Sequence, residues 1–344
     1  MSTAEAILTK LSRRQDLTRE ESLGFMRSVM DGSWSDARVG AALMALNLKG
    51  VSVTELAAFV ELARSAAVRI APRARPLMDT CGTGGDGCRT FNISTAVAFV
   101  LAGCGVAVAK HGNRSVSSRC GSADVLEALG VNVQLPPEGV QRCIETAGIG
   151  FLFAPAHHPA FRRVGEIRRD LGIRTVFNLL GPLLNPAGVS AQLIGVYDPE
   201  LTNLFAQTLA RLGLEDAMVV HGDGLDELTL DGPNRIAWLC RGCVQTFILH
   251  PAETGLGCVP REALAVDGPG ASAAVVQRVL AGERCPARSV VLLNAAAGLL
   301  VAGRAASFAD GIARAAAAVD SGRAAAKLEE LRRYSHDSGS DRRP

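Results

Sequence analysis

Four glycines fall within six positions in Asp79-Thr-Cys-Gly-Thr-Gly-Gly-Asp-Gly87, between a short apolar run and a helix-like one. Backbone without Cβ atoms can close on an anion and offer it a cradle of N–H groups. Gly82, Gly84 and Gly87 also fit the G-x-G-x-x-G spacing of a dinucleotide site. The acidic residue that such a site needs ~20 positions later, to hold a ribose hydroxyl, is replaced here by Lys110. No G-x-x-x-x-G-K-[ST] occurs, which argues against a P-loop nucleotidase. Asn92-Ile-Ser-Thr95 would present an amide, two hydroxyls and a helix N-terminus to a phosphate, or serve as an ordinary N-cap. Lys110-His-Gly-Asn-Arg114, Ser115-Val-Ser-Ser118 and Gly121-Ser122 follow a second apolar run. Loops at the carboxyl ends of neighbouring strands meet in one crevice. Three such loops rich in Gly, Ser, Lys and Arg imply a ligand with more than one phosphate. Asp226-Glu227, after the apolar run 217–220, reads either as a hard-cation site or as a solvated acidic turn.

The elements that must position these residues change character along the chain. The first seventy residues read as helices, with capping boxes at Thr18-Arg-Glu-Glu21 and Ser52-Val-Thr-Glu55. Pro72-Arg-Ala-Arg-Pro76 then marks a domain boundary. From Leu77 short apolar runs at 77–78, 106–109, 131–135, 149–153, 193–196 and 217–220 read as strands. Helices are expected between them at 94–103, 122–130 and 202–212. This alternation predicts an α/β fold with a mostly parallel sheet covered by helices. Residues 166–178 show no clean period, and the tail 335–344 is polar and expected to be disordered.

Composition narrows the function classes. The 344 residues carry 36 Lys+Arg against 34 Asp+Glu, a net +2 that marks no nucleic-acid or membrane-surface binder. Hydrophobic residues at 48% suffice for a large core, and aromatics at 4% leave it mostly Ala, Val and Leu. No apolar run approaches the ~20 residues of a membrane span. Nine scattered cysteines, with one C-x-x-C at Cys240 and Cys243 and no second pair, read as reduced thiols of a cytoplasmic protein rather than a zinc ribbon.

Gly82-Thr-Gly-Gly-Asp86, Asn92-Ile-Ser-Thr95, Lys110-His-Gly-Asn-Arg114 and Gly121-Ser-Ala-Asp124 together resemble the signature of the anthranilate phosphoribosyltransferases. The likeness extends through His157-His-Pro159, Arg174-Thr-Val-Phe-Asn178, Gly181-Pro-Leu183, Gly222–Glu227 and Asn294-Ala-Ala296. It implies transfer of a phosphoribosyl group from 5-phosphoribosyl 1-pyrophosphate (PRPP) to the amine of anthranilate, with loss of pyrophosphate. PRPP would be held by Gly82, Gly85, Asp86, Thr90, Asn92, Ile93, Ser94 and Thr95. Lys110, His111, Gly112, Asn113, Arg114, Ser115, Val116, Ser117, Ser118 and Ser122 would complete its site. Anthranilate would meet Gly82, Asn113, Arg168, His111 and His158, with His111 the candidate for a chemical role. Ser94, Asp226 and Glu227 would hold Mg²⁺, two ions per site. The resemblance also implies a helical domain of residues 1–72 with an excursion near 165–188, and an α/β domain of 73–164 and 189–334. A homodimer through the helical domain is expected. Two rivals are a pyrimidine-nucleoside phosphorylase-like enzyme and a non-catalytic nucleic-acid-binding paralogue. The intact Lys110–Asn113 and Asp226-Glu227 argue against the first, and the charge balance against the second.

Overall fold

The computed structural model describes residues 3–114 and 120–337. Four helices come first: α1 (Thr3–Ser12), α2 (Arg19–Asp31), α3 (Asp36–Lys49) and α4 (Val53–Ser65). Both expected capping boxes form. The hydroxyls of Thr18 and Ser52 accept from Glu21 and Glu55 N–H, and each glutamate reaches back to its cap. Glu55 does more than cap. Fully buried, it accepts from Leu17 N–H at 2.9 Å and from Lys49 Nζ at 2.8 Å, joining the α1–α2 link, the end of α3 and the start of α4.

Seven strands build one sheet in the order β3-β2-β1-β4-β5-β6-β7. They are β1 (Leu77–Gly82), β2 (Ala107–Gly112), β3 (Ile149–Phe153), β4 (Ala191–Gly195), β5 (Asp216–Gly222), β6 (Asn234–Cys240) and β7 (Cys243–Leu249). The first five run parallel, and β6 and β7 add an antiparallel hairpin. Both faces are buried, as parallel sheets require. Met218 and Val220 of β5 join one core, while Ala217 and Val219 join the other. The connecting helices are α5 (Ile93–Gly103), α6 (Ser122–Ala128), α7 (Pro137–Ala147), α8 (Ala154–His157), α9 (Arg162–Leu171), α10 (Phe177–Leu180) and α11 (Leu201–Arg211). Helix α11 lies on β5 and β6 and carries α4 on its back, so the core of the first four helices runs on into the sheet.

Several expectations needed correction. Residues 131–135 form no strand. Asn132 N–H donates to Ser335 Oγ and Gln134 N–H to Asn132 Oδ1, so side chains satisfy this backbone instead of a ladder, while Val131 and Val133 fill the core. The same bond contradicts a disordered tail beginning at 335: Ser335 is buried inside a helix ending at His336, and residues 338–344 lie outside the described region. The stretch 166–178 does contain a period. Val164, Ile167 and Leu171 form the apolar face of α9, which packs on α2 and α3. The β6–β7 hairpin went unforeseen because its turn is Arg241-Gly242, at φ 50 and 79, in place of the usual Asn-Gly. Cys240 and Cys243 flank that turn as a cross-strand pair. After β7, α12 (Gly268–Leu280), α13 (Pro286–Val301), α14 (Phe308–Asp320) and α15 (Arg323–His336) were likewise unforeseen; α13–α15 pack against α5.

Glu55→Ala should cost about 3 kcal/mol, because it strands Lys49 and the Leu17 amide in a buried place. Urea unfolding followed at Trp34, with Trp238→Phe removing the second indole, measures it; an unchanged midpoint would contradict the linking role of Glu55.

Candidate active site

Chain connections diverge to either side of β1, since β2 lies on one flank and β4 on the other. In an open sheet that switch point leaves a crevice beyond the carboxyl ends of the strands. The loops after β1, β2, β4 and β5 all open there, and they carry most of the residues singled out from sequence.

The deepest part is acidic. Asp226 Oδ2 accepts from Gly84 N–H at 2.7 Å, and Glu227 Oε1 accepts from Ser94 N–H at 3.0 Å. The acidic loop can lie this close to the sheet because β1, β4 and β5 end in glycine. A Cβ on Gly195 or on Gly222 would overlap the carbonyl of Asp226 or of Glu227, and one on Gly82 would overlap the Asp226 carboxylate. Behind the loop, the side-chain amide of buried Asn294 pairs with both Leu228 N–H and C=O, each at 2.9 Å. Desolvation, then repulsion by Asp86 on Asp226 and by Asp226 on Glu227, pushes the pKa of both acidic groups well above the ordinary carboxylate range. Asp226-Glu227 is therefore a half-buried carboxylate pair fixed on backbone N–H groups and not a freely solvated turn.

Lys110 is buried beside this pair. Its Nζ donates to Thr80 C=O at 2.5 Å and to Ser94 Oγ at 3.1 Å. Ser94 thus joins the acidic pair and the lysine, while its C=O accepts from Thr80 Oγ1 of β1 at 3.1 Å. Thr95 is spent on its neighbour, donating to Asn92 Oδ1, and the Ile93 side chain lies in the core. Those two can offer a ligand only their backbone. Thr90 bridges to Ala265 and anchors the outer edge of the glycine loop. Ser122 Oγ donates to Asn113 C=O at 3.5 Å, and Gly112 leaves room for it. Arg114 faces away from the acidic pair: its guanidinium binds Glu127 and Asp124. Ser115, Val116, Ser117 and Ser118 lie outside the described residues.

A second, apolar region continues from Lys110. His111 N–H donates to buried Asp79, and its Nδ1 lies 3.2 Å from the Gly181 carbonyl. A carbonyl only accepts, so Nδ1 carries the proton and Nε2 is a buried acceptor that finds no partner. His158 stacks edge-on at 5.3 Å and also has a buried, unpartnered Nε2. Phe161 and Phe177 extend this aromatic wall. Desolvation holds His111 down to about 3 and His158 to about 4, with repulsion among the histidines adding to it. Both are neutral at pH 7. Arg168 sits half-buried on α9, just beyond Phe161 in the chain, and desolvation lowers its pKa.

The charge-bearing set fits a hard divalent cation: two half-buried carboxylates and a hydroxyl, with no sulfur or imidazole among them. Among the described residues no three His, Cys, Asp or Glu side chains gather closely enough to hold an ion unaided. Oxygens of a phosphorylated ligand would have to complete the shell.

Comparison with known proteins agrees with this geometry. The helical bundle domain of a glycosyl transferase family matches residues 5–67, and its a/b domain matches 74–325. Anthranilate phosphoribosyltransferase of Myxococcus xanthus is 51% identical over 331 residues, covering 96% of this chain and 98% of that protein. That of Moorella thermoacetica is 50% identical, covering 95% and 97%. This chain belongs to the anthranilate phosphoribosyltransferase family. The Thermus thermophilus member superposes with a TM-score of 0.90 at 46% identity, covering 96% of this chain and 99% of its own. The Saccharomyces cerevisiae member, solved in complex with PRPP and Mg, reaches 0.86 at 27% identity over 97% of this chain and 98% of its own.

Within an anthranilate phosphoribosyltransferase, two carboxylates with raised pKa values imply a pH signature. Asp226 and Glu227 keep protons that the unfolded chain, with carboxylates near pKa ~4, has already lost. Stability of the cation-free protein should therefore fall as pH rises from about 4 through neutrality. Thermal unfolding in EDTA should show that slope, and Asp226→Asn with Glu227→Gln should flatten it. A slope that survives the double substitution would place its origin elsewhere.

Proposed function

We propose that this protein joins the amine of anthranilate to C1 of PRPP, releasing pyrophosphate, in tryptophan biosynthesis. The observation that carries the reading is the half-buried Asp226-Glu227 pair seated on the N–H groups of Gly84 and Ser94, at the mouth of the glycine loop. No phosphate could be welcome beside two bare carboxylates. Mg²⁺ held by Asp226, Glu227 and Ser94 would turn the same place into a pyrophosphate site, and the resemblance implies two such ions.

Glycosyl transfer of this kind builds positive charge on the ribose and negative charge on the leaving group. The chain's part is to hold the pyrophosphate with the N–H groups of residues 85–87, those of Thr83 and Gly84 being already engaged, and with the Ser94 hydroxyl. Lys110, fixed by Thr80 and Ser94, brings a positive charge to the same place without reorganisation. Mg²⁺, when bound, supplies the remaining neutralisation of the leaving group.

The acceptor lies along the His111–His158–Phe161 wall, its carboxylate on Arg168, whose forked donors suit both oxygens. Neutral His111 offers Nε2 as an acceptor for an amine N–H, which turns the nitrogen lone pair toward C1. A histidine held at about 3 is too weak to keep the proton, which passes to water after the bond forms. Residues 1–72 and 165–188 form the unit that carries Arg168, and its closure on the α/β part excludes water from PRPP. The apolar side chains exposed on α3, Met44 and Leu48, suit a homodimer through that unit. Among the described residues no helix is long and apolar enough to cross a membrane, in keeping with a cytoplasmic enzyme.

Purified protein with PRPP, Mg²⁺ and anthranilate should quench anthranilate fluorescence and release equimolar pyrophosphate, and chelation should stop both. PRPP binding without quenching would mean a different acceptor. Arg168→Ala should raise KM for anthranilate at least tenfold and leave that for PRPP within about twofold, since one charge-assisted pair is worth more than a tenfold change. Between pH 5 and 8, kcat should show no inflection removable by His111→Asn; such an inflection would make His111 the base.

A further inference from the structure

Arg174, between α9 and α10, is only one arginine among several by sequence, yet it touches the glycine loop. Its guanidinium lies 4.2 Å over the ring of Tyr197, and its Nη2 donates to the carbonyl of Gly85. The backbone on either side is fixed: Gly172 caps α9, and Thr175 N–H donates to Asn178 Oδ1 at 2.9 Å. Tyr197 is fixed as well, since its N–H donates to Thr83 Oγ1 at 3.0 Å while Thr83 N–H donates to Gly195 C=O at 2.9 Å. Gly85 holds φ +77, and a Cβ there would come within 3.2 Å of the Arg174 Nη2. Three segments therefore meet at one guanidinium: the loop after β1, the loop after β4, and the tail of the helix that bears Arg168.

We propose that Arg174 is a positioning residue for the donor site, a clamp that holds the glycine loop in its phosphate-receiving shape by gripping the Gly85 carbonyl while stacked on Tyr197. The proposal rests on the reading of that loop as the PRPP site. A planar guanidinium is needed, because the stack uses its face and the hydrogen bond its edge. The clamp also ties the loop to the segment that follows Arg168, so a shift of α9 is felt at the donor phosphates.

The test is steady-state kinetics at saturating Mg²⁺ on Arg174→Ala, Arg174→Lys, Tyr197→Leu and the Ala/Leu double variant, with amide hydrogen exchange over residues 83–88 in the absence of substrate. Arg174→Ala should raise KM for PRPP roughly tenfold, as loss of a stacked, charge-assisted bond should, and leave KM for anthranilate within about twofold. Arg174→Lys should recover only part of the loss. Tyr197→Leu should show a smaller loss, and the double variant should be no worse than Arg174→Ala, the mark of one shared interaction. Exchange at 83–88 should quicken in every variant that breaks the clamp. An unchanged KM for PRPP, two KM values rising together, or unchanged exchange would overturn the proposal. If the wild-type protein fails to use PRPP, the reading of the site fails, and the exchange data still decide whether the clamp exists.

Discussion

Two carboxylates crowded against the glycine loop dominate this molecule. Asp226 and Glu227 are half-buried, and the repulsion that Asp86 exerts on the first and the first on the second is only partly offset by backbone N–H groups and by Lys110. That arrangement is stable only with the acidic loop pressed against the sheet, and the loop fits only because β1, β4 and β5 end in glycine. Asn294 holds the loop from behind. The surrounding architecture keeps a destabilising cluster in position for a cation and its phosphate ligand.

The sheet supplies the rest by direction alone. Parallel strands deliver the glycine loop, the Ser94 helix start, the Lys110–Asn113 segment and the acidic loop to one edge. The helix α9 comes from the other side of the crevice, and its Val164 and Ile167 sit in the core shared with α2 and α3. The proposed donor site therefore sits on strand ends, and the proposed acceptor site on a helix packed against α2 and α3 in a core that runs on into the sheet. The histidine wall between them is dry, and its imidazoles are neutral, which suits guiding an aromatic amine better than removing its proton.

Much of this was legible in the residues. Glycine spacing, the Ser94 helix start, Lys110 in place of a ribose-binding acid and the two capping boxes each follow from local chemistry. The family resemblance then assigned roles that spacing alone left open, above all for Arg168. What could not be read were features whose partner is distant in the chain. Residues 131–135 look like a strand because Val131, Val133 and Leu135 alternate, but no neighbouring strand stands there, and Ser335 takes the backbone bond instead. Thr95 looks like a phosphate ligand until Asn92 is seen to claim its hydroxyl. Arg114 looks the same until Glu127 claims its guanidinium.

The amino-acid sequence by itself determined where the capped helices start, where glycine lets an anion approach the backbone, and which side chains are chemically able to act. Those properties depend on a residue and its near neighbours. Only the tertiary structure decided which apolar runs find a strand partner, which of the able residues face one another, that Asp226 and Glu227 are fixed on backbone N–H groups rather than freely solvated, and that Arg174 reaches Gly85. Burial and long-range pairing depend on how elements pack, and a pKa or a clamp arises only once packing has removed the water.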